Sequence, residues 1–215
     1  MIKGEHTMKV LFIGDSITDC GRNTNAGYRF ALGQGYPVLI ASKYGAAYPG
    51  KYEFVNTGIS GNRIVDIYAR IRIDCWNHEP DVISMLVGVN DVLHTYLREN
   101  GVEADRFERM YDMLVEDTIK RLPNVKMILM EPFVAPGSYT EENYEEFRAE
   151  VKLRGEIVER IAKKYNMKYV PLQERFDKAC GDRPELFIVD GVHPSYAGHQ
   201  LIADAWMEAF EEALR

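Results

Sequence analysis

The sequence predicts an α/β protein whose parallel sheet is covered by helices on both faces, and three observations carry the prediction. Short apolar runs alternate with segments of helical periodicity along the whole length, as they must when each strand is followed by a helix that returns the chain to the same end of the sheet. The first run, Leu11-Phe12-Ile13, breaks into Gly14-Asp15-Ser16, as a buried strand does where it empties into a loop at the carboxyl end of such a sheet. With 215 residues, 46% hydrophobic and 11% aromatic, the chain suits one domain spanning 1–215 and two small ones only awkwardly.

Taken in order, the strand candidates are Lys9 to Ile13, Glu53 to Asn56, Val82 to Val87, Val125 to Met130 and a short run from Lys168 to Val170. The helical candidates lie between them. Tyr36 to Ala47 follows a glycine-rich segment, and Ile64 to Cys75 follows the second strand. Phe107, Met110, Tyr111, Leu114, Val115 and Ile119 recur at intervals of three and four, which predicts an amphipathic helix over 104–121. Phe147, Val151, Ile157, Val158, Ile161 and Tyr165 repeat the pattern less cleanly. In the last helix Ser195 is a natural N-cap after Pro194, and Ala197, Leu201, Ile202, Ala205, Trp206, Ala209 and Phe210 form one apolar stripe, expected in the core. Two long loops, 20–35 and 132–140, follow strands and should wall the carboxyl rim, where Arg22, Asn23, Asn25, Tyr28, Arg29, Gln34 and Tyr36, then Ser138, Tyr139 and Thr140, suit a hydroxyl-rich alcohol.

A net charge of −7 and a pI near 5.3 disfavour nucleic-acid or anionic-membrane partners, which repel such a surface. The three cysteines Cys20, Cys75 and Cys180 contain no Cys-x-x-Cys pair and fit a reducing compartment. The apolar run behind the polar N-terminus, Val10 to Ile13, is too short for a signal-peptide core, and no apolar stretch reaches membrane-spanning length. A soluble, cytoplasmic protein is therefore expected.

Acyl transfer by a serine needs a nucleophile, a base, an acid that orients the base, and donors for the oxyanion. Ser16 is the candidate nucleophile, with Ser60 as its rival. Of the five histidines, His6 and His78 have no evident partner, and His94 and His199 could line a site. His193 differs because Asp190 lies three residues ahead, on a turn closed by Pro194 and the Ser195 cap. Gly61 would let a backbone N–H approach a ligand closely, and Asn90 offers a neutral amide donor. Asp15, Asp19, Asp91 and Asp190 are not at ligand-loop spacing, so no metal is expected.

Four stretches, Leu11 to Asp19, Asn56 to Asn62, Val87 to Asp91 and Asp190 to Pro194, occur in the order of the four signature blocks of the SGNH hydrolases, also called the GDSL esterase family. The resemblance runs from residue 9 to about residue 206. It implies a flavodoxin-like, three-layer α/β/α sandwich around a five-stranded parallel sheet, catalysis by Ser16, Asp190 and His193, and an oxyanion hole of the Ser16 and Gly61 N–H groups and the Asn90 side chain. No cofactor is implied. Leu11 to Arg22, Gly58 to Asn62, Gly88 to Asp91 and His193 to His199 look most like the bacterial acetylxylan and carbohydrate acetyl esterases. The expectation is a serine esterase that works through an acyl-enzyme and removes short acyl groups, above all acetyl, from a small-molecule or oligosaccharide ester such as an acetylated xylo-oligosaccharide, with a homo-oligomer left open. Two alternatives stand beside it: a lysophospholipase or thioesterase of the same fold, and a non-catalytic flavodoxin-like binding module.

Overall fold

The computed structural model describes residues 6–23, 25 and 30–214. Five strands, β1 (Met8–Gly14), β2 (Tyr52–Asn56), β3 (Val82–Leu86), β4 (Lys126–Met130) and β5 (Lys168–Val170), form one sheet in the order β2-β1-β3-β4-β5. Every pairing is parallel, with Gly14 opposite Leu86 and Phe12 opposite Asn56. The strand after β1 lies on one side of it and the next strand on the other, so the order reverses at β1 and β3. In open α/β sheets the carboxyl end of such a reversal is where ligands bind.

Because β1 is covered on both faces, its side chains from Val10 to Ile13 are apolar without a break rather than alternating with polar ones. Val10 and Phe12 enter one core with Tyr36, Ile40 and Tyr44 of α2 (Tyr36–Ala47) and Ile202, Trp206 and Phe210 of α8 (Tyr196–Ala213). Leu11 and Ile13 enter the other with α3 (Ile64–Asp74) and α5 (Ala104–Arg121). The long α6 (Tyr144–Lys164) serves both, through Phe147 and Val151 at one end and Ile157, Val158 and Ile161 at the other. Trp206 is fully buried and stacks on Phe210 at 4.7 Å, as a core residue.

The expected strands and helices are present with ends shifted by a residue or two, and Ser195 caps α8 by accepting from the Gly198 N–H. Among the described residues three further α-helices are additions: α1 (Ser16–Asp19), α4 (Val89–Arg98) and α7 (Gln173–Cys180). Helix α7 buries only Phe176 and Cys180, too little for a periodic signal. Its N-terminus is capped from a distance, since Oε2 of Glu131 accepts the Leu172 and Gln173 N–H groups at 2.7 and 2.9 Å. Helix α4 starts after Gly88, at φ 137°, so the Asn90-Asp91 pair that resembles a turn lies inside its first turn. Among the described residues, no helix is long and apolar enough to cross a membrane.

Candidate functional site

At the end of β1, Asp15 turns the chain by accepting the Ile17 N–H on Oδ1 at 3.0 Å, which caps α1 and presents Ser16 at the carboxyl edge of the sheet. The Asp15 carboxyl is completely buried and its Oδ2 has no hydrogen-bond partner among the described residues. Burial pushes its pKa up to about 7 against the opposing pull of the Ile17 N–H and the His193 charge.

From the other end of the chain, the turn before α8 carries Asp190 and His193. Oδ1 of Asp190 accepts the backbone N–H groups of Val192 and His193, at 3.0 and 2.7 Å, while Oδ2 accepts from Nδ1 of the His193 ring at 2.7 Å. Nε2 of His193 lies 2.9 Å from Oγ of Ser16. With Nδ1–H committed to Asp190, Nε2 is the unprotonated nitrogen of the neutral ring and accepts from the serine hydroxyl. The hydrogen bond to Asp190 holds the His193 pKa above its ordinary value despite partial burial, with further help from the Asp190 and Asp15 charges. Burial alone would raise the Asp190 pKa, but the bonds from the His193 ring and the two backbone N–H groups hold it below the usual carboxylate range.

The loop after β4 buttresses this turn. The Ala135 N–H donates to the Gly191 carbonyl and the Tyr139 N–H to the Asp190 carbonyl, at 2.9 and 3.0 Å. Gly137 makes the approach possible, because a Cβ there would lie 2.2 Å from the Gly191 nitrogen.

The second and third blocks complete the rim. Gly61 sits at φ 80°, a left-handed conformation suited to glycine. Neither its N–H nor that of Ser16 has a hydrogen-bond partner among the described residues. The buried Asn90 side chain donates one Nδ2 hydrogen to the Asn62 carbonyl at 3.2 Å, which ties the two blocks together and leaves the other Nδ2 hydrogen unspent. Asp91 is fully buried and caps α3 by accepting the Ile64 N–H.

Ser60 is differently placed. Its Oγ and N–H both donate to Oδ2 of Asp19, at 2.8 and 3.0 Å, with no imidazole in the contact. His199 lines the cleft beside Ser16, but its Nδ1 accepts the Tyr36 N–H at 3.2 Å and its Nε2–H points to Sγ of Cys20 at 3.3 Å. Burial drives the His199 pKa down to about 4. His94 is buried one turn beyond Asn90, and His6 pairs with Asp81 at the surface.

Some residues expected on the rim are elsewhere. Tyr36 is fully buried and its hydroxyl pairs with Oγ1 of Thr18, while Arg22 turns inward to the Gly58 carbonyl. Gly27, Tyr28 and Arg29 lie outside the described residues. Sequence reasoning missed Arg70, whose guanidinium donates to the Gly14 and Thr57 carbonyls and to Oδ1 of Asn62, bracing the first two blocks against each other. No spacing signal marks this brace, because two of its acceptors are backbone carbonyls, which every residue carries.

The cleft between α1 and the turn that carries His193 has a volume of about 550 Å³, within the range of small-molecule sites. Ser16, Cys20, Gln34, His193, Tyr196 and His199 contribute to its lining. Among the described residues, no group of three or more His, Cys, Asp and Glu side chains is arranged to hold a metal ion.

A family model for the GDSL-like lipase/acylhydrolase family matches residues 12–201, which include all of these groups. The chain belongs to that family. It is 38% identical to an acetylxylan esterase of Geobacillus stearothermophilus over 208 residues, covering 93% of this chain and 92% of the relative. It is 26% identical to thioesterase 1/protease 1/lysophospholipase L1 of Escherichia coli, over 90% of this chain and 81% of the relative. Among solved structures, a GDSL-like lipase from Parabacteroides merdae superposes with a TM-score of 0.90 at 33% identity, over 95% of this chain and 96% of the other. A catalytic mutant of the Geobacillus acetylxylan esterase superposes with a TM-score of 0.85 at 36% identity, over 94% and 93% of the two chains. Within the α/β/α sandwich, the first three blocks lie where β1, β2 and β3 end, at the carboxyl edge of the sheet.

Proposed function

We propose that this chain is a serine carboxylic ester hydrolase that removes acetyl groups from a carbohydrate such as an acetylated xylo-oligosaccharide, working as a single domain over residues 1–215. The observation that carries the reading is the continuous path from Oδ2 of Asp190 through the His193 ring to Oγ of Ser16 at the mouth of a cleft. The likeness to an acetylxylan esterase supports the acyl group and the class of alcohol.

In this mechanism Oγ of Ser16 attacks the ester carbonyl while Nε2 of His193 takes its proton. Asp190 holds the ring in the required tautomer and stabilises the imidazolium. The oxyanion is received by the unspent N–H groups of Ser16 and Gly61 and by the Asn90 amide. His193 returns the proton to the departing alcohol, then activates water to cleave the acyl-enzyme. No cofactor takes part. Three free thiols support a cytoplasmic setting.

The discriminating experiment is an acyl-length series, because each buried methylene contributes about 0.8 kcal/mol and a lipid enzyme draws on many of them. We expect kcat/KM to fall steeply from acetyl to butyryl to octanoyl, with acetylated xylo-oligosaccharides better substrates than any lysophospholipid. A series that rises toward octanoyl would replace the carbohydrate reading with the lysophospholipase or thioesterase one and leave the serine mechanism standing.

Asn90→Ala is expected to lower kcat by about 10²- to 10³-fold with little change in KM, since the lost donor serves the transition state. A rise in KM alone would assign Asn90 to substrate binding.

The pH profile follows from His193, which accepts a proton only when neutral. As its pKa lies above the ordinary 6.5, kcat/KM should be full at higher pH and fall as pH drops through a midpoint above 6.5. Asp190→Asn removes the main cause of the elevation and should move that midpoint down. A wild-type midpoint below 6.5 would show that another group controls the limb.

A further inference from the structure

A second concavity, of about 230 Å³, lies between the end of α4 and the segment 138–147, with Tyr96, Leu97, Ser138, Tyr139, Asn143 and Phe147 in its lining. It shares no lining residue with the cleft beside Ser16. One ring joins it to the site, because Tyr139 meets His193 edge to face with centroids 6.1 Å apart. We propose that this concavity is a subsite for one pyranose ring of an oligosaccharide, next to the ring that carries the ester; the proposal rests on the carbohydrate esterase reading.

The lining matches a pyranose, which presents an apolar face of C–H groups and a rim of hydroxyls. Tyr96 and Tyr139 are 36% and 47% exposed, and Leu97 is exposed beside them. Isolated exposed apolar side chains need no explanation, but three around one hollow form a patch. The Tyr96 ring packs on the buried Phe147, centroids 5.6 Å apart, so its face is held in place before any ligand arrives. Ser138, Glu142 and Asn143 add a hydroxyl, a carboxylate and an amide whose side chains have no hydrogen-bond partner among the described residues. The hollow is below the usual range for small-molecule pockets, so it has room for a single ring rather than an extended acyl chain.

The segment is also fixed relative to the chemistry. The Tyr139 N–H donates to the Asp190 carbonyl, and Oγ1 of Thr140 donates to the Ala135 carbonyl at 2.7 Å. A sugar held against Tyr139 is thereby referred to the same turn that carries His193, and binding energy from the second ring orients the ester at the first.

The test compares kcat/KM for acetylated xylotriose with that for an acetylated methyl xyloside in wild type, Tyr96→Ala, Tyr139→Ala and Asn143→Ala. In wild type the trisaccharide should be preferred, and each tyrosine variant should lower the ratio of the two values by about tenfold, as loss of one aromatic contact implies. Asn143→Ala should lower it less. A ratio unchanged in all three variants would overturn the subsite. So would a loss confined to octanoyl relative to acetyl esters, which would mark the hollow as an acyl site. Turnover of an aryl acetate with neither sugar ester cleaved would overturn the carbohydrate reading and the subsite with it, a result distinct from an unchanged ratio.

Discussion

Ser16→Ala is expected to lose acyl-enzyme formation altogether and to lower kcat by on the order of 10⁶-fold, the scale seen when a serine nucleophile is removed from a comparable triad. Fold and stability should be nearly unchanged, because among the described residues the only hydrogen-bond partner of Oγ is Nε2 of His193, and the Asp15 cap on the Ile17 N–H does not involve the hydroxyl. The backbone N–H at position 16 survives, so substrate should still bind and the loss should appear in kcat. Burst kinetics and labelling by a phosphonyl fluoride read the same event independently, since both require an activated hydroxyl. Full turnover in this variant would end the assignment. Ser60 is a poor replacement, as its hydroxyl donates to Asp19. Failure of the wild-type protein to label or to hydrolyse any ester would favour the non-catalytic binding module.

Asp190→Asn should be the next most damaging change, at about 10⁴-fold in kcat, by analogy with the same substitution in other triads. The reason is local. An asparagine can still offer an oxygen to the Val192 and His193 N–H groups, so the turn should form. Its amide nitrogen then faces Nδ1 of His193 where Oδ2 stood, and two N–H groups cannot point at each other. The ring answers by carrying its proton on Nε2, the position that must accept from Ser16. Thermal stability close to wild type together with the kinetic loss would separate this tautomer effect from collapse of the turn. Wild-type rates would remove Asp190 from the mechanism.

Much of the architecture was legible before any coordinates, for a physical reason. Strands buried on both faces are continuous apolar runs and helices on a sheet bury one stripe, so β1 to β5, α2, α3, α5 and α8 each declare themselves in their own residues. The Asp190 and His193 pair was legible too, because residues three apart on a capped turn meet through local geometry. Helix α7 was not, since the carboxylate that starts it comes from Glu131, just past the end of β4. Nor was the brace at Arg70, or the inward turn of Tyr36 and Arg22, which looked like rim residues until the packing of α1 and the second block enclosed them.

What the sequence by itself determined is the set of elements and the chemical types held at their ends: a serine after one strand, an acid and an imidazole before the last helix, glycine and asparagine between. Only the tertiary structure decided that Oγ of Ser16 and Nε2 of His193, 177 positions apart, stand 2.9 Å from each other. Periodicity reports neighbours a few residues away, whereas that distance depends on strand order, on the reversal at β1 and β3, and on the loop after β4 seating the Asp190 turn. Those are properties of how packed faces exclude water together, and no single segment carries them.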